Sequence, residues 1–168
     1  QRERARSAQK TTTGLATLSD IDLPVTEDMH KYETHQCTAR IKGFVIESNF
    51  VDKGEIQQNQ SAAIILDKTC FYAESGGQVG DCGLITSQNS KFVVESTIKI
   101  GETVIHQGKV AEGKFSVNDE ILAAVSKDRD AIKKNHTATH LLQWALQKVV
   151  GKNVAQQGSL VGPEYLRF

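Results

Sequence analysis

The hydrophobic period of the chain changes once, and that change fixes most of what it can fold into. From position 36, Cys37, Ala39, Ile41, Gly43 and Val45 alternate with Thr38, Arg40, Lys42 and Phe44. The same alternation returns at Phe92, Val94, Ser96, Ile98 and Ile100, at Val104 to Val110, and at Ile121, Ala123 and Val125. A period of two belongs to strands with one buried face. Ser61–Leu66 reads as a short apolar strand, while Asp52-Lys53-Gly54 and Asn118-Asp119 supply turns. Short strands broken by turn residues roughly every 8–12 positions predict a small barrel or sandwich over 36–126.

Beyond 126 the period becomes helical. Ala138, Leu141, Leu142, Ala145, Leu146, Val149 and Val150 fall on one stripe of a helix of about four turns. Asn135 is a candidate N-cap and Gly151 a C-terminal stop. Lys127–Lys134 is either a separate turn or the upstream part of that helix. Ala155–Val161 and Tyr165–Phe168 read as strands around a Gly162-Pro163 turn. The expected class is therefore α+β, a mainly antiparallel β-barrel followed by a helix and strands over 127–168. In front, Gln1–Lys10 reads as the end of a charged helix. Thr11 to about His35, with Gly14 and Pro24, reads as a linker or loosely packed strap, so 1–35 is set apart from the barrel.

Charge balances at 20 basic and 20 acidic groups, so only its distribution informs. Residues 1–10 carry +3, residues 11–35 carry −4, and residues 126–168 carry +4. Lys127, Arg129, Lys133 and Lys134 are either phosphate contacts for a polyanion or a solvated face. No apolar run approaches the roughly 18 residues that span a bilayer, and the N-terminus holds no signal-peptide core, so no membrane partner is expected. Cys37, Cys70 and Cys82 are odd in number and form no C-x-x-C pair, which predicts a reducing, cytoplasmic setting. The chain starts at Gln1 without Met and stops at Tyr165-Leu-Arg-Phe168, inside an apolar stretch. The expectation is a fragment of a longer protein.

Three segments carry possible chemistry. His136-Thr-Ala-Thr-His140 sets two imidazoles at i, i+4 on one helix face, where they can chelate one metal ion. Thr137 stands where a zincin needs its general-base Glu, so that enzyme class is excluded. Together with Gln143 and Gln147 these histidines form a polar stripe, which sets them apart from packed core residues; solvated or capping histidines are the alternative. Cys37, Cys70, Cys82 and His106 complete a metal set only if the fold brings them close. The second segment is Phe71-Tyr-Ala-Glu-Ser-Gly-Gly-Gln-Val-Gly-Asp81. Its paired glycines permit a turn at positive φ and a close approach, and Glu74, Gln78 and Asp81 can bind a ligand or brace the loop. No Gly-Lys-Ser/Thr follows, so it is not a phosphate-cradling P-loop; a barrel corner is the plain alternative. The third segment, Ala155-Gln-Gln-Gly-Ser-Leu-Val161, can return a strand across the His face and bring Gln156 and Ser159 to it.

In this order and at these spacings, the three segments with Leu166-Arg-Phe168 resemble the alanyl-tRNA synthetase family over about residues 36–168. Threonyl-tRNA synthetases have a similar His-x3-His helix but not the barrel segment. The resemblance implies a translation-protein-type barrel over 36–126 and, over 127–168, the start of an editing domain that hydrolyses serine or glycine misattached to alanine tRNA. It implies zinc, with His136 and His140 as the first two ligands. It also implies Thr139, Gln156 and the Gly76-Gly77-Gln78 segment as editing-pocket residues. The family's other two zinc ligands lie in a later Cys-Gly-Gly-Thr-His motif that these residues lack. Alanine, ATP and Mg2+ would bind an N-terminal class II catalytic domain that is also absent. The expectation is therefore half an editing site, inactive by itself. Two rival readings are a free-standing trans-editing hydrolase and a non-catalytic tRNA-binding module. The missing Cys/His motif counts against the first of these.

Overall fold

Strand pairing closes the sheet on itself in the computed structural model, which describes residues 21–155 and 158–167. In chain order the strands are β1 (Gln36–Ile46), β2 (Asn49–Val51), β3 (Glu55–Gln57), β4 (Ser61–Leu66) and β5 (Gly83–Thr86). There follow β6 (Lys91–Ile100), β7 (Thr103–Glu112), β8 (Lys114–Ser116) and β9 (Glu120–Val125). Helix α1 (Asp128–Val149) comes next, then the short pair β10 (Leu160–Val161) and β11 (Leu166–Arg167). Six antiparallel strands run β1-β4-β7-β6-β5-β9, and β9 pairs back onto β1, leaving no free edge in the ring. Phe44, Phe71, Phe92, Ile64, Leu66 and Ile85 fill the interior and are fully buried. The β3–β8 ribbon adds its cross-strand pair Ile56 and Phe115 to the same core.

The expected alternation holds along the first half of β1 and then changes phase. The register of β1 against β4 shifts between Ile41 and Gly43. A bulge moves every later side chain to the opposite face, so Phe44, expected outside, enters the barrel core. Val45 turns outward and joins Ala63, Ile65 and Ile105 in a second cluster. A matching shift in β6 between Val94 and Ser96 sends Ile98 and Ile100 to that outer cluster.

The strap predicted as loose is tightly held where it is described. Thr26 is 4% exposed; its hydroxyl donates to the Leu66 carbonyl at 2.9 Å and accepts from the Val104 amide at 3.2 Å. Glu27 pairs with Lys68, and Leu23 covers the outer cluster. The Asp28 carboxylate receives the ammonium groups of both Lys31 and Lys99. The helix end expected at Gln1–Lys10 lies outside the described residues.

Helix α1 is continuous from Asp128, so the Lys127–Lys134 segment is its first two turns. Asn135 is an interior residue and not the N-cap; its amide donates across to the carbonyls of Gly162 and Pro163. Asp128 and Asp130 in the first turn and Lys148 in the last complement the helix dipole. The apolar stripe points mostly away from the described chain: Leu141 is 62% exposed and Val149 86%. On the polar side His136 and Gln143 are half-buried, while His140 and Gln147 are exposed.

Candidate functional site

The glycine-rich loop between β4 and β5 is shaped by two residues at positive φ, Gly76 at +59° and Gly77 at +82°. Ser75 and Gln78 bond each other's backbone across this turn. Gly77 has no room for a side chain: a Cβ there would lie 2.2 Å from the Ser159 hydroxyl oxygen and 2.7 Å from the Ser159 carbonyl oxygen. Strand β10 lies along the loop in that space. The Val161 amide donates to the Gly77 carbonyl at 2.7 Å, and the Val79 amide returns a bond to the Val161 carbonyl at 3.1 Å. The third segment, expected across the His face, meets the glycine-rich loop at Ser159, whose hydroxyl donates to the Gly76 carbonyl at 3.4 Å. Gln156 lies outside the described residues.

Gln78, 7% exposed, aims its side chain at helix α1, where its Oε1 lies 2.7 Å from His136 Nδ1. An amide oxygen can only accept, so Nδ1 donates, and in the neutral ring it is Nε2 that carries the lone pair. His140, one turn on, stacks beside His136 with ring centroids 5.0 Å apart and planes 29° off parallel. These rings fit two corners of a tetrahedral zinc site. A backing acceptor for the non-ligating nitrogen is what zinc-bound histidines ordinarily have. Thr139, 6% exposed, donates its hydroxyl to the Asn135 carbonyl at 2.9 Å.

The remaining metal candidates are placed elsewhere. Cys37 and Cys70 pack in the barrel, and the Cys82 thiol donates to the Glu95 carbonyl. His106 is fully buried in β7, its Nδ1 bonded to the Ile64 carbonyl at 3.0 Å and its Nε2 to the Thr69 hydroxyl at 2.8 Å. Among the described residues, no group of three or more His, Cys, Asp or Glu side chains stands close enough to hold a metal.

Arg129 answers to neither sequence reading, phosphate contact or solvated face. It is 2% exposed and forms a buried ion pair with Asp81. Its guanidinium also donates to the carbonyls of Lys31, Thr34 and Cys70. This node docks the start of α1 onto the barrel and fixes the end of the glycine-rich loop, since Asp81 also accepts from the Tyr72 amide at 2.6 Å. Forty-eight residues separate the two charges, so no local spacing announces the pair. Beside it opens a cavity of about 350 Å³ lined by Lys31, Tyr32, Tyr72, Gln78, Lys133 and His136. One wall is thus His136 with Gln78, and the others are aromatic or cationic. Of the four basic residues at the start of the helix, Lys133 is the exposed one that reaches this cavity.

Residues 1–129 match the family model for class II tRNA synthetases (A). The whole chain is 45% identical to the alanine–tRNA ligase of Legionella pneumophila (strain Paris), covering 19% of that protein. It is 54% identical over 67% of its length to the alanine–tRNA ligase of Buchnera aphidicola subsp. Schizaphis graminum, and 41% identical over its whole length to alanine–tRNA ligase 1 of Lachnoclostridium phytofermentans. The chain spans about a fifth of the length of the relatives it matches throughout. No helix among the described residues is long and apolar enough to cross a membrane.

Proposed function

The chain belongs to the class II (A) tRNA synthetase family, and from that premise we propose that it forms the barrel (36–126) and the opening of the editing domain (127–168) of a cytoplasmic alanine–tRNA ligase. The parent enzyme charges alanine tRNA with alanine using ATP and Mg2+, and clears serine or glycine misattached to that tRNA. The single observation that supports the editing half is the His136–Gln78 bond, which sets one face of the helix against the glycine-rich loop.

In this reading His136 and His140 offer two nitrogen ligands to zinc, with the remaining ligands coming from residues outside this chain. When bound, zinc supplies a Lewis acid beside the aminoacyl ester. Gln78 holds the His136 ring in the tautomer whose Nε2 can bind a cation. Gly77 keeps β10 flush with the loop, so that the pocket wall is continuous. Thr139 spends its proton on Asn135 and keeps its oxygen as an acceptor for the substrate's amino or hydroxyl group. Lys133 and the rings of Tyr32 and Tyr72 suit the phosphate and base of the tRNA end.

The test uses the intact ligase. His136→Ala with His140→Ala should abolish zinc retention and hydrolysis of serine-charged alanine tRNA, while alanine charging persists. Gln78→Ala should weaken zinc binding about 10–100-fold in a chelator competition, as loss of a ligand's backing partner does. Thr139→Val should keep zinc and alter only hydrolysis. Unchanged hydrolysis in the double His variant would refute the reading.

A further inference from the structure

Two residues of the cavity wall come from the strap: Lys31 and Tyr32 lie ahead of the barrel and outside the three segments read for chemistry. The strap holds Lys31 at both ends. Asp28 accepts its ammonium at 2.8 Å, and Arg129 donates to its carbonyl at 3.2 Å. That ammonium stands 5.0 Å from the centre of the Tyr32 ring and 5.9 Å from that of Tyr72. A cation and two aromatic rings are thereby fixed side by side. Tyr32 is 66% exposed, so core packing does not account for it.

The charges around the cavity do not cancel. Among the described residues, none that lines it is acidic. Arg129 is neutralised by Asp81. Asp28 is shared between Lys31 and Lys99, so one carboxylate answers two ammonium groups and one positive charge is left over. Lys133, from helix α1, adds a second, because Asp130 one turn back faces His35 instead. Lys31 gives one of its three N–H donors to Asp28 and keeps two. Two surplus charges match a phosphate monoester, which carries about −1.5 to −2 at pH 7, better than a diester with a single charge. The aromatic rings beside them suit a base, whatever its edge. A volume of about 350 Å³ is at the low end of the roughly 300–1,000 Å³ of small-molecule sites, and has room for one nucleotide.

We propose that this cavity binds a free nucleoside 5′-monophosphate, with its phosphate on Lys31 and Lys133 and its base on Tyr32, and that the nucleotide competes there with the tRNA end. The competition rests on the editing reading above; the binding does not. Charge sets the order of preference. Inside the tRNA end each phosphate is a diester, whereas the free nucleotide presents a monoester.

The first test titrates AMP into this chain at low salt and follows the heat of binding. AMP should bind at least about tenfold tighter than adenosine or inorganic phosphate, since each of those fills only part of the site. It should also bind about fivefold tighter than adenosine 5′-methylphosphate, the same nucleotide as a diester. Lys133→Gln should weaken AMP about tenfold and erase its advantage over the methyl ester. Tyr32→Leu should weaken AMP about tenfold and leave inorganic phosphate unaffected. Both side chains are exposed, so neither change threatens the fold. AMP that binds no tighter than adenosine or phosphate, or a methyl ester that binds as well, would overturn the proposal. The second test uses the intact ligase. AMP should raise the KM for hydrolysis of serine-charged alanine tRNA at constant kcat, and Lys133→Gln should raise the AMP inhibition constant about tenfold. An unchanged KM at saturating AMP would overturn the competition. A ligase without any such hydrolysis would instead refute the editing reading, and the titration would still decide the site.

Discussion

Arg129→Met should destabilise the folded chain by about 3–5 kcal/mol, the usual cost of removing one member of a buried ion pair. Both side chains are at most 2% exposed, so water cannot replace the lost guanidinium. Asp81 would keep only the Tyr72 amide as a partner, and its Oδ1 already has none among the described residues. Three backbone carbonyls would lose their donor as well. Methionine retains the apolar stem, so packing contributes little to the loss. Arg129→Met with Asp81→Leu should cost less than the two single changes added together, because the stranded charge is gone. Urea unfolding midpoints of the four proteins measure this. A loss below about 1 kcal/mol for Arg129→Met would place the node in water after all.

Acid should weaken the barrel through His106. Burial holds its imidazole neutral down to about 4, against 6.5 for the unperturbed group. Above pH 6.5 both the folded and unfolded states are neutral there, and stability does not depend on this group. Between 6.5 and about 4 the unfolded chain binds a proton that the folded barrel refuses, so stability falls with pH. Below that window both are charged and the loss levels off, at roughly 3 kcal/mol in total. The neutral ring is fully bonded, Nδ1 to the Ile64 carbonyl and Nε2 to the Thr69 hydroxyl, so an added proton has to reverse the Thr69 bond. Unfolding midpoints from pH 7.5 to 4.5 should fall less steeply for His106→Asn than for the parent chain. Parallel slopes would show that another group carries the acid sensitivity.

Most strands were legible because a half-buried strand repeats its burial every two residues. What broke the pattern was the bulge in β1 and its counterpart in β6, which move Phe44 inward and Ile98 and Ile100 outward. A bulge is set by pairing with a neighbour distant in sequence, and alternation read along a single strand carries no trace of it. Strands β2, β3, β5 and β8 run only three or four residues, too few for any period to declare itself. At the site, the i, i+4 spacing put His136 and His140 together, and the paired glycines marked a turn that something approaches closely. The Gln78 contact could not be read, since it joins a barrel loop to a helix 58 positions later. Arg129 was concealed for a further reason: a basic residue among basic neighbours looks solvated unless its distant carboxylate is known.

The groups that Arg129 gathers lie 48 to 98 residues earlier in the chain. A helix of 22 residues relaxes within about a microsecond, whereas the long-range strand pairings that position those groups form far more slowly. The helix is therefore formed long before its anchor is set. During synthesis every acceptor is also joined before residue 129, so the pair can close only after they are made. The ion pair then acts as a latch that closes on a finished barrel and plays no part in nucleating it. Arg129→Met should accordingly speed unfolding and leave the folding rate almost untouched, a φ-value near zero.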